Sequence, residues 1–256
     1  MARGSGAFSC GDAFRLKKAM IKAIDKFFPA LVVLTALATL AALYLIFFYA
    51  PVEASMGIVQ KIFYVHVPSA MVMYAGFTIT SVASLVYLLK PNRGWDIAAL
   101  TGVELGLIFC AYVLISGPLW AYKAWGVAWT WDPQLTATFV LFLLYGGYGL
   151  LRAFSGKSEQ VRKIAAVLAV IAFVDIPIIH YAVKKWGGLH PVVEREGGGG
   201  LAPEMKLAAS ISMLAFLGIF LVLFWLRMRV RLTERQVDQL YLDVEDASHV
   251  LGKRTN

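Results

Sequence analysis

Residues 31–50 read LVVLTALATLAALYLIFFYA, twenty positions without a charged side chain. A helix of that length rises about 30 Å, the thickness of a bilayer's hydrocarbon core. No water is present there to satisfy peptide groups, so such a run crosses as a helix with its own internal hydrogen bonds. Five further apolar runs follow, at about 67–89, 97–115, 137–151, 164–183 and 207–226. The chain is 59% hydrophobic and 16% charged, against roughly a quarter charged in soluble domains. The expected fold is all-α: a polytopic integral protein of the lipid bilayer with six transmembrane helices.

Ahead of the first run, residues 1–28 are basic. Met20, Ile21, Ile24, Phe27 and Phe28 recur at helical spacing, with Lys17, Lys18, Lys22 and Lys26 on the other side. That pattern suits an amphipathic helix in the headgroup layer. A signal peptide is not expected: the basic stretch is too long, and no small-residue cleavage site follows the apolar run. The expected organisation is this N-terminal segment, a membrane domain over 29–228, and a mixed-charge tail over 229–256.

Net charge is +8, and its placement explains it. Six spans put both termini on one side. That side carries eighteen Lys and Arg residues, among them Lys90, Arg93, Arg152, Arg162, Arg227 and Arg231; the opposite side carries six. Such a bias marks the richer side as cytoplasmic, so both termini are expected there. The excess is topological and calls for no nucleic acid. Cys10 and Cys110 form no C-x-x-C pair, which excludes a dithiol oxidoreductase and a cysteine zinc site. No G-x-x-x-x-G-K-[ST] supplies an ATPase.

Between the third and fourth runs lies SGPLWAYKAWGVAWTWDPQLT, residues 116–136. Gly117, Pro118, Gly126 and Pro133 argue for a loop, which the topology places on the external face. Trp120, Tyr122, Trp125, Trp129 and Trp131 make it far more aromatic than a connection requires, and Asp132 follows the last indole. Such rings form a belt at the membrane–water boundary, or a π-rich platform for a planar ligand.

His66, before the second span, and His190, after the fifth, fall on the same face. Neutral imidazoles ligate iron well, and two of them flanking an aromatic loop suit the axial positions of a flat iron macrocycle. Lys61, Lys123, Lys184 and Lys185 are cations for its carboxylates. A histidine at a helix end also serves as a simple hydrogen-bonding residue. His180, three residues after Pro177, is a third candidate, for ligation or for a carbonyl released by the proline. Glu104 and Asp175 lie within spans, where an acid costs roughly 2.5–3.5 kcal/mol to insert. Each is expected to face protein, as an interhelical hydrogen bond or as part of a polar path.

The run Trp125-Gly-Val-Ala-Trp129-Thr-Trp131-Asp132-Pro, with KIFYVHVPSA around His66 and PIIHYAVKKWGGLHP leading to His190, resembles the CcmC family. This is a group of WWD-motif membrane proteins of cytochrome c maturation. The resemblance implies a haem-binding chaperone of the bacterial inner (cytoplasmic) membrane, not an enzyme. It implies haem b (iron protoporphyrin IX) held by His66 and His190 as axial ligands. Trp120, Trp125, Trp129, Trp131 and Asp132 are then the haem platform. The implied partners are the periplasmic haem carrier CcmE, the small membrane protein CcmD, and the ABC transporter components CcmA and CcmB. Ala128 stands where many relatives have Trp, and Gln134 where Arg is frequent. Two other classes fit the composition. One is a subunit of a transmembrane haem or small-solute transporter, which needs a polar path. The other is a b-type cytochrome, which usually ligates haem inside the spans.

Overall fold

The computed structural model describes residues 10–156, 158–186 and 201–254 of the chain. Seven α-helices account for most of it. They are α1 (Cys10–Tyr44), α2 (Phe63–Leu89), α3 (Arg93–Trp125), α4 (Pro133–Phe154), α5 (Glu159–Ala172), α6 (Asp175–Trp186) and α7 (Pro203–Arg254). Six helical stretches are long and apolar enough to cross a membrane, with α5 and α6 together forming the fifth. The expected fold class is met.

The helices depart from the expected boundaries in three places. Residues 10–28 are not a separate helix; they are the first turns of α1, which passes through Pro29 without ending. The fifth span is broken by a turn at residues 173–174, ahead of Pro177. Proline has no N–H to donate and its ring crowds the preceding turn, so a break four residues upstream relieves both. The last helix runs for 52 residues, about 78 Å at 1.5 Å per residue, and so reaches far beyond one hydrocarbon layer.

Small residues set how closely the central pair approaches. A Cβ on Gly102 would lie 2.7 Å from the carbonyl oxygen of Gly76, and one on Gly106 would lie 2.6 Å from the Phe77 ring. Glycine at 102 and 106 therefore lets α2 and α3 touch backbone to backbone, the small-x-x-x-small mode of membrane helices. The Thr80 hydroxyl bridges the pair, donating to the carbonyls of Gly76 at 2.9 Å and Ala99 at 3.1 Å. Phe77 then stacks flat on Tyr145 of α4, with ring centroids 4.0 Å apart. Ser81 hydrogen-bonds the Tyr145 hydroxyl at 2.7 Å and donates to the carbonyl of Ala169 in α5 at 2.9 Å. One polar chain thus ties α2, α4 and α5 within an apolar core.

Charges cluster at the other end of the bundle from Trp120, Trp125, Trp129 and Trp131. Glu104 of α3 accepts from Arg227 Nε and Arg231 Nη2 of α7, each at 2.7 Å. Asp96 of α3 pairs with Arg152 of α4. Arg229 of α7 reaches Asp25 of α1 at 3.5 Å, which places these stretches of the first and last helices at one end.

Candidate functional site

The expected loop over residues 116–136 is only part loop. Helix α3 continues through Gly117 and Pro118 to Trp125 and stops at Gly126, whose φ of +78° is the left-handed helix terminator glycine favours. Its 33 residues span about 50 Å, more than a 30 Å hydrocarbon layer needs. An interior proline costs a helix about 3 kcal/mol. Burying a tryptophan returns about 4–6 kcal/mol at 25 cal/mol per Å², an upper bound. Trp120 supplies that term. It is 5% exposed and packs with Ile46, Phe63, Tyr64, Met205 and Ala208, so the ends of four helices meet around it.

Continued helicity decides which tryptophans share a face. Ser116 and Trp120 are four residues apart and both turn inward toward α2. His66 stands in the first turn of α2, itself 5% exposed. Its Nδ1 lies 2.8 Å from Ser116 Oγ, a buried hydrogen bond. The Trp120 ring meets the imidazole edge-on at 5.8 Å, and Trp125 stacks on Trp120 at 6.3 Å. A Cβ on Gly117 would come within 3.2 Å of His66 Cε1, so only a glycine leaves that edge of the ring unpressed.

The remaining indoles form a second group. Residues 126–132 cross from α3 to α4, and Trp129 and Trp131 pack edge-to-face at 5.4 Å, both against Phe139. Trp131 has φ +51°, the one left-handed non-glycine residue among those described, yet is 67% exposed. A bulky residue in that region costs roughly 1–2 kcal/mol, a strain typical of binding sites. Asp132 caps α4: its Oδ1 accepts from Leu135 N at 2.8 Å, with Pro133 in the first turn. That is a structural duty the sequence pattern did not separate from binding.

Of the other candidates, His190 lies outside the described residues. His180 is exposed and packs on Tyr181 at 5.2 Å. Lys61 donates to the carbonyl of Phe47 at 3.3 Å, Lys123 sits 5.9 Å over the Tyr122 ring, and Lys185 is exposed. Asp175 opens α6 with its Oδ2 buried and without a hydrogen-bond partner among the described residues. Cys110 is a buried free thiol in the core.

The donor set suits a haem. His66 is a buried imidazole on a helix, with Nδ1 hydrogen-bonded to Ser116 Oγ. Among the described residues the buried indole N–H groups of Trp120 and Trp129 find no acceptor, a need that an anionic or carbonyl-bearing ligand meets. Trp125 and Trp131 hold exposed rings alongside. Among the described residues no three His, Cys, Asp or Glu converge. Sequence reasoning did not pair Ser116 with His66 and read Gly117 only as a loop residue; the spacing of Ser116 by four from Trp120 was the available signal, hidden by reading the segment as a loop.

Comparison with known proteins points the same way. The chain is 33% identical over 196 residues to heme exporter protein C of Bradyrhizobium diazoefficiens, covering 75% of this chain and 74% of the relative. It is 33% identical over 187 residues to the Escherichia coli protein of that name, covering 72% and 74%. It is 32% identical over 152 residues to a putative cytochrome c biosynthesis ccmC-like mitochondrial protein of Arabidopsis thaliana, covering 59% and 57%. The model of the family described as heme exporter protein C matches residues 13–243, nearly the whole length, and the chain belongs to that CcmC family.

Proposed function

We propose that this protein binds haem at the tryptophan-bearing end of the bundle and presents it for cytochrome c maturation. The observation that carries the reading is the fixed imidazole of His66, held by Ser116 beneath Trp120 at the head of an aromatic shelf. Iron protoporphyrin IX supplies one electrophilic metal, two apolar faces and two carboxylates. His66, through Nε2, and His190 would hold the iron. Trp125, Trp129 and Trp131 cover the apolar faces, and Lys61 and Lys123 lie at the same end for the carboxylates. The strained, exposed Trp131 is suited to contact by a docking protein.

On this reading the shelf faces the periplasm across the bacterial inner membrane, and the carrier CcmE takes the haem from it. CcmD and the CcmA–CcmB transporter assemble with the spans. No side chain here is assigned a bond-making step; the protein orients and releases. A path through the spans is less favoured, because Glu104, one of its few possible lining residues, is committed to Arg227 and Arg231.

The test is the absorption spectrum of the purified protein titrated with haemin. Wild type is expected to give the sharp bands of six-coordinate haem, and His66→Ala with His190→Ala to lose them while retaining its helical circular dichroism. A double variant with an unaltered haem spectrum overturns the proposal.

A further inference from the structure

Ser116 is fifty residues from His66 in the chain and belongs to no aromatic or histidine motif. Its hydroxyl nevertheless hydrogen-bonds the imidazole at 2.8 Å, between groups that are 6% and 5% exposed. We infer that Ser116 is a positioning residue for haem ligation, setting the tautomer and donor strength of His66, with Gly117 making room for the ring. The inference rests on the proposed ligation by His66.

A neutral imidazole carries one proton and one lone pair. For Nε2 to present its lone pair to iron, the proton must sit on Nδ1, where His66 donates it to Ser116 Oγ. A hydroxyl acceptor at that place stabilises the wanted tautomer and pins the ring plane. It also moves electron density toward Nε2 less strongly than a carboxylate does. For a carrier that must surrender its cargo, a moderate donor is the appropriate choice: it orders the ligand without making the iron–nitrogen bond too strong to exchange.

The surroundings leave the ring few other positions. Trp120 closes one side edge-on, and Gly117 lies against Cε1 so closely that an added methyl carbon would sit at 3.2 Å. Ser116, Gly117 and Trp120 all come from the end of α3, while His66 comes from the start of α2. The tight glycine crossing of these two helices therefore fixes the distance between imidazole and hydroxyl.

The experiment uses the full-length purified protein titrated with haemin, reading dissociation constant and midpoint potential for Ser116→Ala, Ser116→Thr and Gly117→Ala. Loss of a ligand's hydrogen-bonding partner typically weakens metal binding about 10- to 100-fold. Ser116→Ala is expected to fall in that range and to raise the midpoint potential, because a weaker donor stabilises ferric iron less. Ser116→Thr, which keeps the hydroxyl, is expected to stay near wild type in both, and Gly117→Ala to bind more weakly. Wild-type affinity and potential in Ser116→Ala overturn the inference. So does an equal loss in Ala and Thr, which would reveal packing rather than hydrogen bonding. The His66→Ala control separates the two claims: if it retains the wild-type haem spectrum, the ligation reading itself has failed.

Discussion

Trp131 and Asp132 are neighbours with opposite employments. Asp132 is spent on the α4 N-terminus, so Asp132→Ala is expected to destabilise the protein by about 1 kcal/mol, the usual value of a cap. Asp132→Asn keeps the capping oxygen and should melt like wild type. Haem affinity measured on that pair shows whether the carboxylate has a further role at the site. Trp131 shows the reverse economy, an exposed ring on a strained backbone. Trp131→Gly relieves φ +51° and removes the ring, so thermal stability is expected to hold or rise while haem affinity falls. Glu53 offers a pH test at the turn before α2. Its carboxylate accepts the N–H of Met56 at 2.5 Å and is bonded by the Ser55 hydroxyl and N–H, which together hold its pKa below the ordinary 4.5. A depressed folded pKa means that stabilisation is complete above 4.5 and is lost as pH falls through the lower folded value. Amide exchange at Ser55 and Met56 should therefore quicken, beyond its intrinsic pH trend, as the solution is taken below pH 4.5.

At the scale of elements, α2 and α3 carry the site, and their glycine crossing sets its dimensions. Gly102→Ala forces a methyl toward the Gly76 carbonyl at 2.7 Å. Overpacking of that kind costs about 1–3 kcal/mol, seen as a lower melting temperature in detergent. Because the crossing positions Ser116 against His66, the same variant is expected to bind haem more weakly. The spans were legible because a charge-free run of twenty residues admits little else in hydrocarbon. What was not legible was which indole goes inside. Trp120, Trp125, Trp129 and Trp131 look alike in sequence; burial of Trp120 follows from α3 continuing past Pro118, a tertiary effect. Ser116 was hidden for the same reason, since its partner lies on another helix.

Over the whole molecule, polarity is divided by end. Trp120, Trp125, Trp129, Trp131 and His66 occupy one end, while Asp25, Asp96, Glu104, Arg152, Arg227, Arg229 and Arg231 form ion pairs toward the other. Glu104→Ala leaves Arg227 and Arg231 adjacent and uncompensated, so lower thermal stability is expected with an unchanged haem spectrum, a separation of fold from site. The proposed orientation has its own check. A cysteine placed at exposed Val127 should react with an impermeant maleimide in intact spheroplasts, whereas one at Tyr241 should react only after lysis. The central claim is that His66 ligates the iron from one face of the haem. Electron paramagnetic resonance of the ferric haem complex measures this directly: the account predicts a low-spin bis-imidazole signal in wild type that becomes high-spin in His66→Ala. A low-spin signal that survives the substitution with unchanged g-values would contradict it.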